Sequence, residues 1–337
     1  MLIEEGEMAL THERTSVQVA QPPAPALGRL GLSRRLKEWT ARQVMTLATL
    51  LVFLTLIGLG VSLLNRTWPL LQSYPLRELL TGQVWQPMQG LFGFAPFLVG
   101  SLAVTVVAMV IAVVPAVLTG IYMAEYTSLR ARRVFKPVLD LLVGIPSVVY
   151  GLWGVVFIVP LVRDHIGPLS DRTLGQVWPW FARTNPSGYG LLSAGVVLAV
   201  MAFPLIVAVT EEVLRAVPRD LRSAALALGA TRWEATKVVV WRTGRTGILA
   251  AIILGFSRAF GETLAVMMVV GNVAQFPRSL FDPVYPLPAL IANNYGEMMS
   301  VPLYEAALMG AALMLLLVVL AFNVLARMVI ARVAEGR

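Results

Sequence analysis

Six stretches of this chain are long and apolar enough to cross a hydrocarbon core, which takes about 20 apolar residues in a helix. They run from Val44 to Leu64, Phe97 to Ala124, Val138 to Val162, Leu191 to Val213, Thr246 to Val270 and Tyr304 to Ile330. Lipid offers backbone N–H and C=O groups no partner, so such runs must satisfy them internally as helices. The expected fold is therefore an all-α membrane protein with about six transmembrane helices. Composition agrees: 57% of residues are apolar and 14% charged, where soluble domains carry about a quarter charged. Nothing here supports a soluble enzyme.

An even number of spans puts both termini on one side, and basic residues decide which side. Arg34, Arg35, Lys37 and Arg42 precede span one, Arg130, Arg132, Arg133 and Lys136 separate spans two and three, and Arg215 to Arg245 carries seven more basic residues between spans four and five. These segments and the Arg327, Arg332, Arg337 end are expected in the cytoplasm. The net charge of +8 is thus topology, and no nucleic-acid partner follows from it. The opposing loops, near residues 65–95, 163–189 and 272–302, are rich in proline and aromatic residues and should face outward. Residues 1–28 are acidic, then proline- and alanine-rich, and read as a flexible cytoplasmic tail. Residues 29–93 hold an amphipathic piece, the first span and an external loop. The amphipathic piece, with Leu32, Leu36 and Trp39 on one face, fits a helix lying on lipid and equally a basic flank of the first span. Residues 94–332 hold the remaining spans. There is no cysteine, and His12 and His165 have no ligand spacing, so no metal site is expected.

The polar segment 215–245 has its own design. Pro218 can open a helix, Ser223 to Leu228 continue it, Gly229 can end it in a left-handed turn, and Thr231 with Glu234 forms a capping box for a second helix. Alanines at 224, 225, 227 and 230 permit close backbone approach. The pattern favours docking into a groove of a soluble partner; one uninterrupted amphipathic helix resting on membrane lipid is the alternative.

The run Ser223-Ala224-Ala225-Leu226-Ala227-Leu228-Gly229, with Val239 beyond it, resembles the EAA loop of bacterial ABC importer permeases. Ser223 stands where that loop usually has Glu, and Arg242 where it usually ends in Pro. Residues 144–154 (GIPSVVYGLWG), 214–219 (LRAVPR) and 258–266 (RAFGETLAV) resemble the permeases of the phosphate-specific importer, and 269–272 (VVGN) its PstC type. The resemblance covers roughly Phe97 to Ile330. It implies a type I ABC importer permease that moves inorganic phosphate across the bacterial inner membrane. It also implies three kinds of partner: a second, PstA-type permease, two ATP-binding cassette subunits, and an external phosphate-binding protein. Ser223, Ala224, Ala225, Gly229, Ala230, Thr231 and Glu234 would then form the ATPase-coupling loop. No Gly-Lys pair exists for a phosphate-cradling loop, so this chain should bind no cofactor, ATP being used by the partner ATPase.

Arg258 lies about 18 Å along a helix from Thr246, near mid-membrane. Charge there is costly and normally faces a bundle interior or an aqueous path, and arginine's planar donor fork matches phosphate oxygens. Glu262, four residues on, is expected on the same helical face, able to neutralise Arg258. Ser257 and Thr263 could add hydroxyls, or bond their own backbone. A buried ion pair that never meets substrate fits the same two charges. Pro146, Ser147 and Gly151, with Gly144 and Gly154, fit a gating bend or close helix packing. Asp140 reads as an interfacial helix-start charge. The alternatives in view are a permease for sulfate or molybdate and a secondary anion carrier, although a carrier usually repeats its intramembrane charge in a second half.

Overall fold

The computed structural model describes residues 30–296 and 302–335; the expected tail and Arg337 lie outside them. The chain divides into residues 1–57 and 58–337. In the first unit, helix α1 (Leu30–Ser73) takes in the amphipathic piece and the start of the first span without a break. Every described side chain from residue 34 to 57 is exposed, Trp39 among them, as suits an apolar helix with lipid or protein for solvent. Leu32 and Leu36 lie outside the described side chains.

Among the described residues, six helical stretches meet the length and hydropathy of a membrane span: Lys37–Ser73, Ala95–Glu125, Ser147–Arg172, Leu191–Ala216, Arg232–Phe260 and Leu303–Val333. The second unit continues through α2 (Leu76–Thr81) and a small antiparallel hairpin, β1 (Trp85–Gln86) and β2 (Leu91–Phe92), into α3 (Ala95–Glu125). Then come α4 (Leu129–Gly144), α5 (Ser147–Trp153), α6 (Val159–Leu161), α7 (Gly167–Arg172) and α8 (Leu191–Ala216). The polar segment holds α9 (Arg219–Ala227) and α10 (Arg232–Val238), followed by α11 (Arg245–Phe260), α12 (Leu264–Val269), α13 (Leu287–Asn294) and α14 (Pro302–Glu335).

Helices α3 and α8 form the centre. Buried α3 residues recur every four positions at Gly100, Val104, Ala108, Ala112, Ala116 and Gly120, a ridge of mostly small side chains. Lipid tails are as apolar as leucine, so helices associate in membranes by close packing, which small residues allow. A Cβ on Gly120 would lie 2.7 Å from Cβ of Thr210 in α8. One end of the unit is closed by an aromatic cluster. Trp85 meets Phe97, Phe94, Phe92 and Tyr304 at ring-centroid distances of 5.1, 5.4, 5.8 and 6.0 Å.

Two expected spans are corrected. Residues Val138–Val162 do not form one span: α4 stops at Gly144, and α5 starts after Ile145 and Pro146, both extended (ψ 129° and 138°). A proline disfavours helical backbone at the residue before it, so the chain turns there. The third span is instead Ser147–Arg172, carried through two π-helical stretches into sequence assigned above to an outer loop. Asp140 accordingly sits in the last turn of α4 and not at a helix start. The fifth span begins at Arg232, because the π-helical stretch Val239–Gly244 joins α10 to α11, and it ends at Phe260. Gly261 to Thr263 are non-helical, and α12 starts afresh.

Candidate functional site

Two non-helical segments, Ile145–Pro146 just before the third span and Gly261–Thr263 just after the fifth, flank the candidate site. Arg258 stands two residues before the end of α11, and so near the end of the fifth span, Arg232–Phe260, and not at its middle as expected. Its side chain is exposed, and one guanidinium nitrogen lies 3.5 Å from the carbonyl oxygen of Val143 in the last turn of α4. The Tyr150 hydroxyl donates to the neighbouring Leu142 carbonyl at 2.8 Å. The terminal carbonyls of a helix lack intrahelical partners and carry partial negative charge, which explains why donors gather there.

The expected ion pair between Arg258 and Glu262 is not formed. An i, i+4 pair needs an unbroken helix, and Gly261 ends α11 between the two. Glu262 turns the other way, and its carboxylate accepts from the Ala265 amide at 3.4 Å at the start of α12. Ser257 faces α14, with its Oγ 3.3 Å from Asn323 Oδ1. The Thr263 hydroxyl lies 3.5 Å from the Gly261 carbonyl. Arg258, Glu262 and Thr263 are thus gathered at the break, whereas Ser257 is turned away from it.

Pro146 and Ser147 lie at the elbow itself, so the proline does not kink a continuous helix. Gly151 and Gly154 serve close packing: a Cβ on Gly151 would meet Met268 Sδ at 2.6 Å and Ala265 Cα at 3.1 Å, and one on Gly154 would meet Val197 of α8 at 2.6 Å. Helices α5 and α12 each begin after an unwound segment and pack on one another. Gly144 has open space around it.

The segment 215–245 is a helix, a turn and a helix, as its residues dictate. Gly229 has φ +85°, a left-handed conformation that glycine adopts without strain. Amides of Gly229 and Ala230 donate back to the carbonyls of Leu226 (3.0 Å) and Ala225 (3.1 Å), closing α9. The capping box is complete: the Glu234 amide donates to Thr231 Oγ1 at 3.3 Å, and the Thr231 amide to Glu234 Oε2 at 2.8 Å. Ser223 Oγ donates to the Arg219 carbonyl at 3.3 Å, Ala224 is exposed, and Leu228 at the tip is 89% exposed. No residue of α9 is buried.

Two contacts that sequence reasoning missed tie this element to the bundle, and a third joins two helices of the bundle itself. Arg222 grips Glu125, at the end of α3, through Nε and Nη2 (2.9 and 2.5 Å), and donates to the Leu214 and Val217 carbonyls at 2.7 and 2.8 Å. The hydrogen bonds that Arg222 donates to the Glu125 carboxylate raise the Arg222 pKa above its ordinary value. Arg232 donates to the Glu125 carbonyl and lies 4.9 Å from the Tyr126 ring centroid. Arg132 of α4 pairs with Glu211 of α8, a carboxylate only 2% exposed. Glu125, an acid closing a long apolar run, was the one available signal.

Residues 116–335 match the family described as binding-protein-dependent transport system inner membrane component. The chain is 35% identical over 280 residues to the phosphate transport system permease protein PstC of Pasteurella multocida, covering 82% of this chain and 87% of that protein. A probable phosphate transport system permease protein PstC of Methanocaldococcus jannaschii is 33% identical, covering 82% and 90%. A probable ABC transporter permease protein of Bacillus subtilis, YqgH, is also 33% identical, covering 78% and 81%.

Proposed function

The chain belongs to the family of inner membrane components of binding-protein-dependent transport systems, and from that premise we propose that it is one permease half of an ATP-driven importer of inorganic phosphate. It is a multi-pass inner membrane protein. In this reading a second permease completes the pore, two ATP-binding cassette subunits receive the tip around Leu228 and Gly229 and hydrolyse ATP, and an external binding protein delivers phosphate. The basic end of the bundle faces the cytoplasm.

The observation that carries the reading is the non-helical stretch Gly261–Thr263, half-buried at Glu262 and Thr263, with exposed Arg258 one turn before it. Where an apolar span ends in non-helical backbone beside a charged side chain, both belong against protein or in a water-filled path and not in lipid. A permanently charged, bidentate donor on such a path suits a tetrahedral oxyanion. The relatives named for phosphate transport favour phosphate over sulfate or molybdate.

The test is uptake of labelled phosphate against labelled sulfate by vesicles holding this chain with its partner permease, ATPase and binding protein. ATP-dependent phosphate uptake is expected. Sulfate uptake would keep the importer and change the substrate, and uptake without ATP would replace the importer by a carrier.

A further inference from the structure

Arg133, Lys136, Asp140 and Gly144 follow one another along α4 at spacings of three and four residues, so they share one side of the helix. All four are exposed, and nothing lies within 4 Å of a Cβ placed on Gly144. A groove of about 460 Å³ runs along this side, lined by Leu129, Arg132, Arg133, Lys136, Pro137 and Asp140. Its cations differ in what holds them. Arg132 is taken by buried Glu211, whereas the Arg133 and Lys136 side chains make no ion pair or hydrogen bond among the described residues. A second side of α4 is packed, with Leu139 buried in the core. The third side, Val134, Phe135, Val138 and Leu141, is exposed and apolar. Lipid or an apolar protein surface can cover that third side, but a charged side on the same helix belongs in water or against protein. From Arg133 to Val143, whose carbonyl meets Arg258, α4 rises about 15 Å. The charged stripe thus leads from the docking end of α4 to the candidate site.

We propose, on the reading of this chain as a phosphate importer, that the charged side of α4 is the exit path of phosphate, with Arg133 and Lys136 forming a second anion site between Arg258 and the cytoplasm. The two cations stand one turn apart and have no rival partner, so one phosphate can meet both, the arginine through its planar fork and the lysine as a point charge. Asp140, four residues from Lys136, neighbours it on the helix and competes with the anion for the ammonium. That competition keeps the site weak, as a path requires, since an ion must leave each site as readily as it enters. Gly144 keeps the stripe open where it reaches Arg258.

Lys37, Lys136 and Lys237 are the three lysines of this chain, so acylation by a small water-soluble amine reagent, read by peptide mass spectrometry, follows the site against two internal controls. The assembled transporter, in phosphatidylcholine nanodiscs without ATP, is titrated from chloride to inorganic phosphate at constant ionic strength. Slowing at Lys136 should grow as 1 + [phosphate]/Kd and exceed that at Lys37 and Lys237 by at least about threefold. Arg133→Gln should abolish the excess, and in vesicles it should lower the maximal rate of ATP-driven phosphate uptake at an unchanged half-saturating external concentration. Equal slowing at all three lysines, or a Lys136 already unreactive in chloride because protein or lipid covers it, overturns the proposal. Both are read on the wild type, so they decide it even if Arg133→Gln fails to assemble. Wild-type vesicles that take up phosphate with ATP while Lys136 stays unprotected lose the exit path and keep the importer, whereas vesicles that take up none lose the importer and the path with it.

Discussion

Replacing Arg222 by alanine tests whether the docking element is locked to the bundle or merely rests beside it. An exposed ion pair contributes about 0.2–1 kcal/mol, whereas removing one member of a buried pair costs about 3–5 kcal/mol, because the remaining charge is stranded. The side chains of Arg222 and Glu125 are 20% and 7% exposed, and Arg222 also serves two carbonyls. The pair therefore belongs with the buried class, and the partial exposure of Arg222 sets the cost near the lower end, about 3 kcal/mol. That is roughly a hundredfold change in the opening equilibrium of α9. Hydrogen exchange of the amides in Arg219–Ala227 should accelerate by that factor in Arg222→Ala while amides of α12 keep their rates. Because the Arg222 pKa is raised, its contribution is complete below the ordinary arginine value and is lost only as pH climbs past the raised one. Arginine charge then brings no pH dependence in the working range. An acceleration under about fivefold, the scale of an exposed pair, would refute the lock.

Gly229→Val should strain the turn by about 1–2 kcal/mol through its left-handed backbone alone, since nothing lies within 4 Å of the added Cβ. ATP hydrolysed per phosphate moved should rise in Gly229→Val and stay near wild type in Gly229→Asn; an unchanged ratio in the valine variant removes the turn from coupling. Arg258→Ala is expected to abolish phosphate uptake in a complex that still assembles. Glu262→Gln, which keeps an oxygen for the Ala265 amide, should retain most uptake, and a loss as deep as that of Arg258→Ala would return the two residues to a functional pair. Gly120→Val drives a branched side chain into Thr210, an overpacking worth about 1–3 kcal/mol or more. A lower membrane yield and melting temperature are expected, and unchanged values would mean that α3 and α8 approach less closely.

The spans were legible because hydropathy over about twenty residues is a local property, and so was the capping box, whose members are three residues apart. Both corrected spans moved at each end, and in each one boundary is a break in the backbone inside an apolar run. Val138 to Gly144 read as membrane because a hydropathy sum does not register that Pro146 stops the helix, and Gly261 undid the helical spacing on which the Arg258–Glu262 pair rested. The Arg222–Glu125 lock was out of reach for another reason. Its members are 97 residues apart in sequence, and only the packing of α3 on α8 brings the ends of those helices together. A charge's position along an apolar run is readable, but its partner is chosen by tertiary structure.

The missing Arg258–Glu262 pair changes what phosphate must displace in the proposed function. A paired glutamate would hold the guanidinium by full charge, whereas the Val143 carbonyl holds it through a 3.5 Å contact and the partial charge of a helix end, a weaker rival for an oxyanion. The helix that owns this carbonyl is fixed elsewhere: Arg132 pairs with buried Glu211, and Ser128 caps its first turn three residues after Glu125 of the docking lock. Its far end meets α5 through the extended residues Ile145 and Pro146 and the hydrogen bond from Tyr150 to the Leu142 carbonyl, while α5 is held against α12 at Gly151. The ion pair of α4 thus lies toward the docking element, and the end next to Arg258 is joined to α5 by the extended link and one hydrogen bond. Movement of α9 and the end of α3 would reach the arginine through α4, a connection that ties the site to the ATPase surface without passing through Glu262.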